Sequence, residues 1–173
     1  MELKTATKND FDRLKAFYRD AILHTENIGI YAKWVYGQHP TDEMIFKYIS
    51  EGNMYFCEKD GSIISAAAVT PCQGEDYHNT KWSITAADNE VSVVHILCVE
   101  PKLQKQGIAR ETMRNIIEMS RKTGKKAVRL DALSCNIPAH RLYYLLGFEK
   151  RGQQRWYANN VGWTDFFLFE LVL

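Results

Sequence analysis

Apolar positions recur along the chain with two periods, and the switches between them mark the elements. Residues 2–7 read as a short strand. Asn9 or Asp10 can cap a helix running to about His24, because Phe11, Leu14, Phe17, Ala21 and Ile22 fall on one helical stripe. An aromatic segment, Tyr31-Ala32-Lys33-Trp34-Val35-Tyr36, leads to Pro40-Thr41-Asp42-Glu43. That run opens a second helix with Met44, Ile45, Tyr48 and Ile49 inward, and Gly52 stops it. Residues 54–58 and 62–70 flank Lys59-Asp60-Gly61, a hairpin signal. A polar loop follows from Gln73 to about Trp82. Residues 91–99 are apolar on both faces, which predicts a central strand covered on both sides.

The second half alternates strand and helix. Residues 107–122 form a helix ended by Gly124, 126–135 a strand, and 138–146 a helix stopped by Gly147. Residues 148–157 and 163–173 close the chain as two strands around Asn159-Asn160-Val161-Gly162. The predicted order is β-α-α-β-β-β-α-β-α-β-β. The strand–helix–strand unit from Val91 to Cys135 requires a parallel crossover, and the hairpins make the remainder antiparallel. The fold class is therefore α/β with a mixed sheet. No repeat, low-complexity segment or Pro/Gly-rich linker interrupts the 173 residues, so residues 1–173 read as one domain.

Composition narrows the class. The chain is 46% apolar and 25% charged, which suits a globular protein with one sizeable core. The formal net charge of +1 gives no general field for a polyanion, so nucleic acid is not an expected partner. The local clusters Arg121-Lys122 and Lys125-Lys126 read as a solvated helix end and turn. Cys57, Cys72, Cys98 and Cys135 have no Cys-x-x-Cys or zinc spacing, so no metal site is expected. At least three of them lie in apolar, strand-like runs and read as reduced, buried thiols. The N-terminus lacks a signal-peptide stretch, and no run approaches the ~18 apolar residues of a membrane span. A cytoplasmic location with no membrane partner is expected.

The candidate chemistry begins where the central strand ends. After Val93-Val94-His95-Ile96-Leu97-Cys98-Val99 and the turn at Pro101, Gln104-Lys105-Gln106-Gly107-Ile108-Ala109 enters a helix. The first helical turn offers unpaired N–H groups and the positive end of the dipole, a ready diphosphate site. Gly107 lets the backbone approach an anion, Ala109 is small, and Gln104 and Lys105 offer side-chain donors at the rim. The same pattern also fits a plain turn eased by glycine. Rossmann and P-loop glycine fingerprints are missing.

A second segment distinguishes these readings: Asn136-Ile137-Pro138-Ala139-His140-Arg141-Leu142-Tyr143-Tyr144-Leu145-Leu146-Gly147-Phe148. Together the two segments resemble the GNAT superfamily of acyl-CoA N-acyltransferases. Gln104, Gly107 and Ala109 match its Gln/Arg-x-x-Gly-x-Gly/Ala pyrophosphate loop. Asn136, Ala139, Leu142, Tyr143, Gly147 and Phe148 match its Asn-x-x-Ala-x-x-Leu-Tyr-x-x-x-Gly-Phe motif.

The resemblance implies a GNAT-like fold, with splayed parallel strands flanked by about four helices. It also implies acetyl-CoA as co-substrate. Backbone at Leu97, Cys98 and Val99 would pair with the pantetheine arm, and a backbone N–H there could hold the thioester oxygen. Backbone from Gln106 through Gly107 and Ile108 to Ala109 would hold the diphosphate. Asn136 would bond the pantetheine arm, or else cap the helix that follows. Tyr143 occupies the family's acid position, where it would protonate the leaving thiolate; packing in the core is its other reading. Tyr144 points about 100° away around the helix. His95 is the leading candidate base for the amine, with Glu90 second, and a satisfied structural histidine remains open. Alternation puts His95 on the face of Leu97 and Val99, and Cys98 on the opposite face as a buried thiol.

The acceptor is least legible. Tyr31, Trp34, Tyr36 and His39, with Glu26 and Glu43 nearby, would suit an amine. Glu75, Asp76, Tyr77 and Trp82 form another candidate wall; Trp156, Tyr157 and Trp163 are a third, or a homodimer contact. The expected function is acetyl transfer to a primary amine of a small molecule or amino acid. A protein or peptide acetyltransferase and a non-catalytic CoA-binding sensor are the alternatives.

Overall fold

A computed structural model describes all residues, Met1–Leu173. Its strands are β1 (Lys4–Thr5), β2 (Met54–Lys59), β3 (Ser62–Thr70), β4 (Val91–Val99), β5 (Ala127–Leu133), β6 (Glu149–Ala158) and β7 (Gly162–Val172). They form one sheet of order β1-β2-β3-β4-β5-β7-β6. Only β4 and β5 run parallel. The helices are α1 (Phe11–His24), α2 (Ile28–Tyr31), α3 (Asp42–Ser50), α4 (Ile108–Lys122) and α5 (Ile137–Leu145). The single turn of α2 is an addition to the sequence-predicted order, wound into the connection between the first two long helices.

Local chemistry accounts for the element ends. Thr41 caps α3 by accepting from the Met44 N–H at 3.2 Å. The β2–β3 turn takes positive φ at Asp60 (50°) and Gly61 (76°), as a tight hairpin requires.

Two faces of the sheet carry separate cores. On one, Leu14, Phe17, Tyr18 and Ala21 of α1 and Ile45 and Ile49 of α3 pack on Met54, Phe56, Ala66, Ala68 and Cys98. On the other, Met113, Ile116 and Ile117 of α4 and Tyr143 of α5 pack on Val94, Val128, Leu130 and Phe169. The loop between β3 and β4 extends the first face, with Tyr77 over Val91, Val93, Ala127 and Leu168. β4 is thus central and covered on both sides, as its continuous apolar run requires.

A bulge in β4 corrects the expected alternation. Ala68 pairs with His95, but Ala66 pairs with Cys98, so three steps on β4 oppose two on β3. Ile96 has φ +45°, a left-handed conformation that a β-branched residue adopts only under strain. Its carbonyl turns toward α1 and accepts from the buried Tyr18 hydroxyl at 2.9 Å. His95 and Cys98 therefore share one face, and Leu97 joins Val94 on the other.

Cysteine placement differs from expectation as well. Cys57 and Cys98 are buried, Cys135 is half-buried just beyond β5, and Cys72 is exposed just beyond β3; all four are free thiols. Only the two inside strands behave as apolar core residues.

Candidate active site

The parallel ladder between β4 and β5 is short. It joins Val91–Val94 to Ala127–Leu130 and then stops, although β4 continues to Val99 and β5 to Leu133. Beyond Val94 and Leu130 the strands part, leaving one backbone edge of residues 95–99 without a strand partner. Unpaired strand backbone can add an extended, amide-bearing chain as a missing neighbour. A cavity of about 920 Å³ fills this opening and reaches past it to α2 and α5.

At one end of the cavity the chain leaves β4 through a turn at Pro101–Leu103 and enters α4. Lys105 (φ +63°) and Gly107 (φ +84°) are both left-handed in this turn. The N–H groups of residues 105–110 find no backbone acceptor, since the first turn-closing bond is Glu111 N–H to Gly107 O. Successive N–H groups in alternating conformations at a helix N-terminus form a concave anion site. The predicted anion loop thus has its geometry, with a different division of labour. Gly107 is required for its backbone angle, because a Cβ there would meet nothing within 4 Å. Lys105 lines the cavity with its charge free, but Gln104 is not a free rim donor. Its amide donates to Thr25 Oγ1 at 2.8 Å and to the Val99 carbonyl at 3.3 Å, pinning the loop to α1 and the strand end. Gln104 and Ala109 line the cavity; Gln106, Gly107 and Ile108 do not.

Tyr143, on α5, is 8% exposed and lines the cavity where the strands part. Its hydroxyl has no protein hydrogen-bond partner, and burial followed by the Asp131 carboxylate raises its pKa above the ordinary value. Tyr144 is 54% exposed and lies edge-on to Phe169, so helical phase puts only Tyr143 of the two on the cavity wall. Asn136 serves one of its two candidate roles directly. Its Oδ1 accepts from the Ala139 N–H at 3.3 Å as the α5 N-cap. Asn136 also lines the cavity, and its amide nitrogen is unused by the cap.

His95 lines the cavity with its ring stacked on Tyr48, 5.8 Å between centroids. Its Nε2 lies 3.2 Å from Thr70 Oγ1, and that hydroxyl donates its proton to the Cys72 carbonyl. The Thr70 oxygen therefore accepts from Nε2–H, which leaves Nδ1 as the basic nitrogen. Burial holds the His95 pKa below 6.5, with Asp131 opposing the shift, so the ring is neutral at pH 7. Glu90 drops out as a base: it pairs with Lys126 at 2.6 Å, accepts from the Ala87 N–H, and does not line the cavity. Cys98 shares the His95 face, against expectation, but burial pushes its thiol up to about 12. It is inert as a nucleophile for that reason.

Of the aromatic candidates, Tyr31, Trp34 and His39 line the cavity, as does Glu26, whereas Tyr36 and Glu43 do not. Tyr77 is buried between Trp82 and Trp156 rather than forming a wall. Tyr157 and Trp163 pack against each other on the surface. Asp131, absent from the sequence-based candidates, stands in the cavity where β5 leaves β4.

The model of the acetyltransferase (GNAT) family matches residues 15–148. The chain belongs to this family. GNAT proteins use acetyl-CoA, and the open β4 edge, the N–H loop and the long cavity fit it. The chain is 24% identical over 152 residues to an uncharacterized N-acetyltransferase of Methanocaldococcus jannaschii, covering 86% of this chain and 61% of that one. It thus spans less than two thirds of the length of this curated relative. Among solved structures, a GNAT acetyltransferase from Streptococcus agalactiae superimposes with TM-score 0.81 at 16% identity, over 99% of this chain and 95% of the other. A Salmonella typhimurium structure with its cofactor acetyl-CoA gives 0.70 at 22% identity, over 100% and 94%. No helix of this GNAT chain is long and apolar enough to cross a membrane.

One prediction concerns the loop. Gly107→Val forces a β-branched residue to φ +84°, at a strain of roughly 1–3 kcal/mol. Relief of that strain turns the N–H groups away from a common point. Acetyl-CoA affinity measured by calorimetry is expected to fall by about tenfold or more, since several charge-assisted bonds weaken together. Wild-type affinity in a folded variant counts against the anion assignment.

Proposed function

We propose that this GNAT protein transfers the acetyl group of acetyl-CoA directly to a primary amine of a small molecule. The observation that carries the reading is the meeting of three groups in one cavity. These are the unpaired β4 edge, a tyrosine hydroxyl with no protein partner, and a histidine whose basic nitrogen is free. The backbone of Leu97, Cys98 and Val99 would hold the pantetheine arm, and residues 106–109 with Lys105 the diphosphate. The free amide nitrogen of Asn136 is a further donor for the arm. Acetyl-CoA supplies an acetyl group activated as a thioester.

The chain's residues then have two proton tasks. His95 Nδ1 takes a proton from the incoming ammonium, which frees the nitrogen lone pair. As the C–N bond forms and the C–S bond breaks, the Tyr143 hydroxyl donates to the departing sulfur. The products are the N-acetyl amine and CoA thiol: the second proton, shed by the nitrogen as the C–N bond forms, returns the Tyr143 oxygen to its neutral form, and the proton held by His95 passes to solvent. Cys98 takes no part, because a thiol pushed up to about 12 is not ionised at neutral pH.

Thiol release from acetyl-CoA across a panel of primary amines tests the reading. Saturable acetyl-CoA binding with no release for any amine would favour a sensor instead. The pH profile tests His95 separately. A histidine must be neutral to accept a proton, and burial holds this one below 6.5. The acid limb of kcat is therefore expected below pH 6.5, with activity lost as pH falls through the folded-state pKa. His95→Ala should lower kcat by about tenfold or more and abolish that limb. A variant that keeps the wild-type limb excludes His95 as the base.

A further inference from the structure

The amine end of the cavity is built around a carboxylate that the two proton tasks leave unassigned. Asp131 follows Leu130, the last β5 residue paired with β4, and His95 follows Val94, its partner. The two side chains therefore stand on neighbouring strands and on one face of the sheet, where the strands begin to part. The Tyr77 hydroxyl donates to Asp131 Oδ1 at 2.6 Å. Tyr77 is 5% exposed and stacked on both Trp82 and Trp156, so this donor is fixed in place. Asp131 lines the same cavity as His39, Tyr48, His95 and Tyr143.

Two further features define what this end can take. Its walls are aromatic: Tyr48 stacked on His95, Trp34 edge-on to His39 with centroids 6.0 Å apart, and Phe166. Lys105 is the sole lysine or arginine lining the cavity, and it belongs to the anion loop beyond the end of β4. A carboxylate with a tyrosine donor but no cation, in a partly desolvated aromatic site, is left short of a positive partner.

We infer that Asp131 anchors the acceptor, pairing with the ammonium of a primary amine that carries an apolar body and no carboxylate beside the nitrogen. Aromatic faces favour both the cation and the apolar body. An α-carboxylate would enter beside Asp131 with no lysine or arginine to meet it, so like-charge repulsion disfavours free amino acids. This narrows the acceptor class named from the sequence. Anchoring also suits the chemistry. When the proton moves from the ammonium to His95, the positive charge stays beside Asp131 and is not stranded in the cavity.

The inference rests on the acetyl-transfer reading only for the direction from which the amine enters, and its test separates the two. CoA-saturated protein is titrated by calorimetry with phenethylamine, phenethyl alcohol and phenylalanine. Phenethylamine should bind about tenfold or more tightly than either of the others, the worth of one charge-assisted contact. Asp131→Asn, whose Oδ1 can still accept from Tyr77, should erase the preference of amine over alcohol and leave CoA affinity unchanged. In turnover it should raise the KM for phenethylamine about tenfold or more, with the KM for acetyl-CoA unchanged. Equal wild-type affinity for phenethylamine and phenylalanine, no binding of phenethylamine, or an unaltered preference in Asp131→Asn overturns the anchor. The wild-type comparison decides the matter even when the variant does not fold. Asp131-dependent amine binding without thiol release keeps the anchor and removes acetyl transfer. Thiol release from acetyl-CoA with phenethylamine as acceptor, its KM unmoved in Asp131→Asn, does the reverse.

Discussion

Tyr143→Phe is expected to lower kcat by roughly 10²–10⁴-fold, the usual worth of a positioned proton donor, while the acetyl-CoA dissociation constant stays at its wild-type value. The substitution removes one oxygen and keeps the ring against Phe148 and Phe169, so core packing persists. The hydroxyl lost has no protein partner, and no buried group is orphaned by its removal. Stability is therefore expected to hold even as turnover falls, which separates chemistry from fold. Burial raises the Tyr143 pKa, so its hydroxyl is protonated at neutral pH and has a proton to give. Single-turnover measurement of thiol release, with acetyl-CoA binding measured alongside, checks the result. An unchanged rate removes Tyr143 from the acid role.

The two segments that revealed the family were legible because each works locally. Gly107 ends up at φ +84° and Asn136 at a helix cap, and both demands are written within a few residues of sequence. The paired faces of β4 were not legible. Alternation put His95 with Leu97 and Val99, but the bulge at Ile96 reverses the parity after His95. Isoleucine is among the residues least suited to φ +45°, so no local preference announces it. It is imposed by tertiary contacts, among them the bond from Tyr18, 78 positions away in sequence. Asp131 was missed for a related reason. Within its strand it is one polar residue in an alternating run, and it becomes a cavity residue only because the ladder stops at Leu130. Where a ladder stops depends on the neighbouring strand. Glu90 misled in the opposite sense, since its partner Lys126 was invisible from β4 alone.

Glu170→Gln is expected to destabilise the protein by about 3–5 kcal/mol, because it leaves the Arg129 guanidinium buried and charged without its counter-ion. The side chains of Arg129 and Glu170 are 1% and 0% exposed. Arg129 donates to Glu170 Oε1 from Nε at 3.0 Å and from Nη2 at 2.8 Å. Its remaining contacts are the Gln73 side chain at 2.5 Å, the Ile84 carbonyl at 3.4 Å and the Trp82 ring, whose centroid lies 4.1 Å from Cζ. The other Glu170 oxygen accepts from the Ser83 N–H at 2.8 Å and from the Ser83 hydroxyl. This pair therefore fastens the loop between β3 and β4 to the sheet, and that loop carries Tyr77, the donor to Asp131. Replacing both charges, in Arg129→Met with Glu170→Met, should cost less than Glu170→Gln alone, since the fully buried Arg129 charge goes with its counter-ion and only the more exposed Arg151, 4.0 Å from Glu170 and paired with Glu149, loses a neighbour. Denaturant unfolding of the wild type and these variants checks the order. A double variant less stable than Glu170→Gln would mean that the network's hydrogen bonds to the loop, rather than charge compensation, carry its worth. In either outcome the acceptor end should loosen before the donor end, because Tyr77 reaches Asp131 from this loop while the N–H groups of residues 105–110 belong to α4. At temperatures where Glu170→Gln is still folded, its KM for the amine should rise more than its KM for acetyl-CoA.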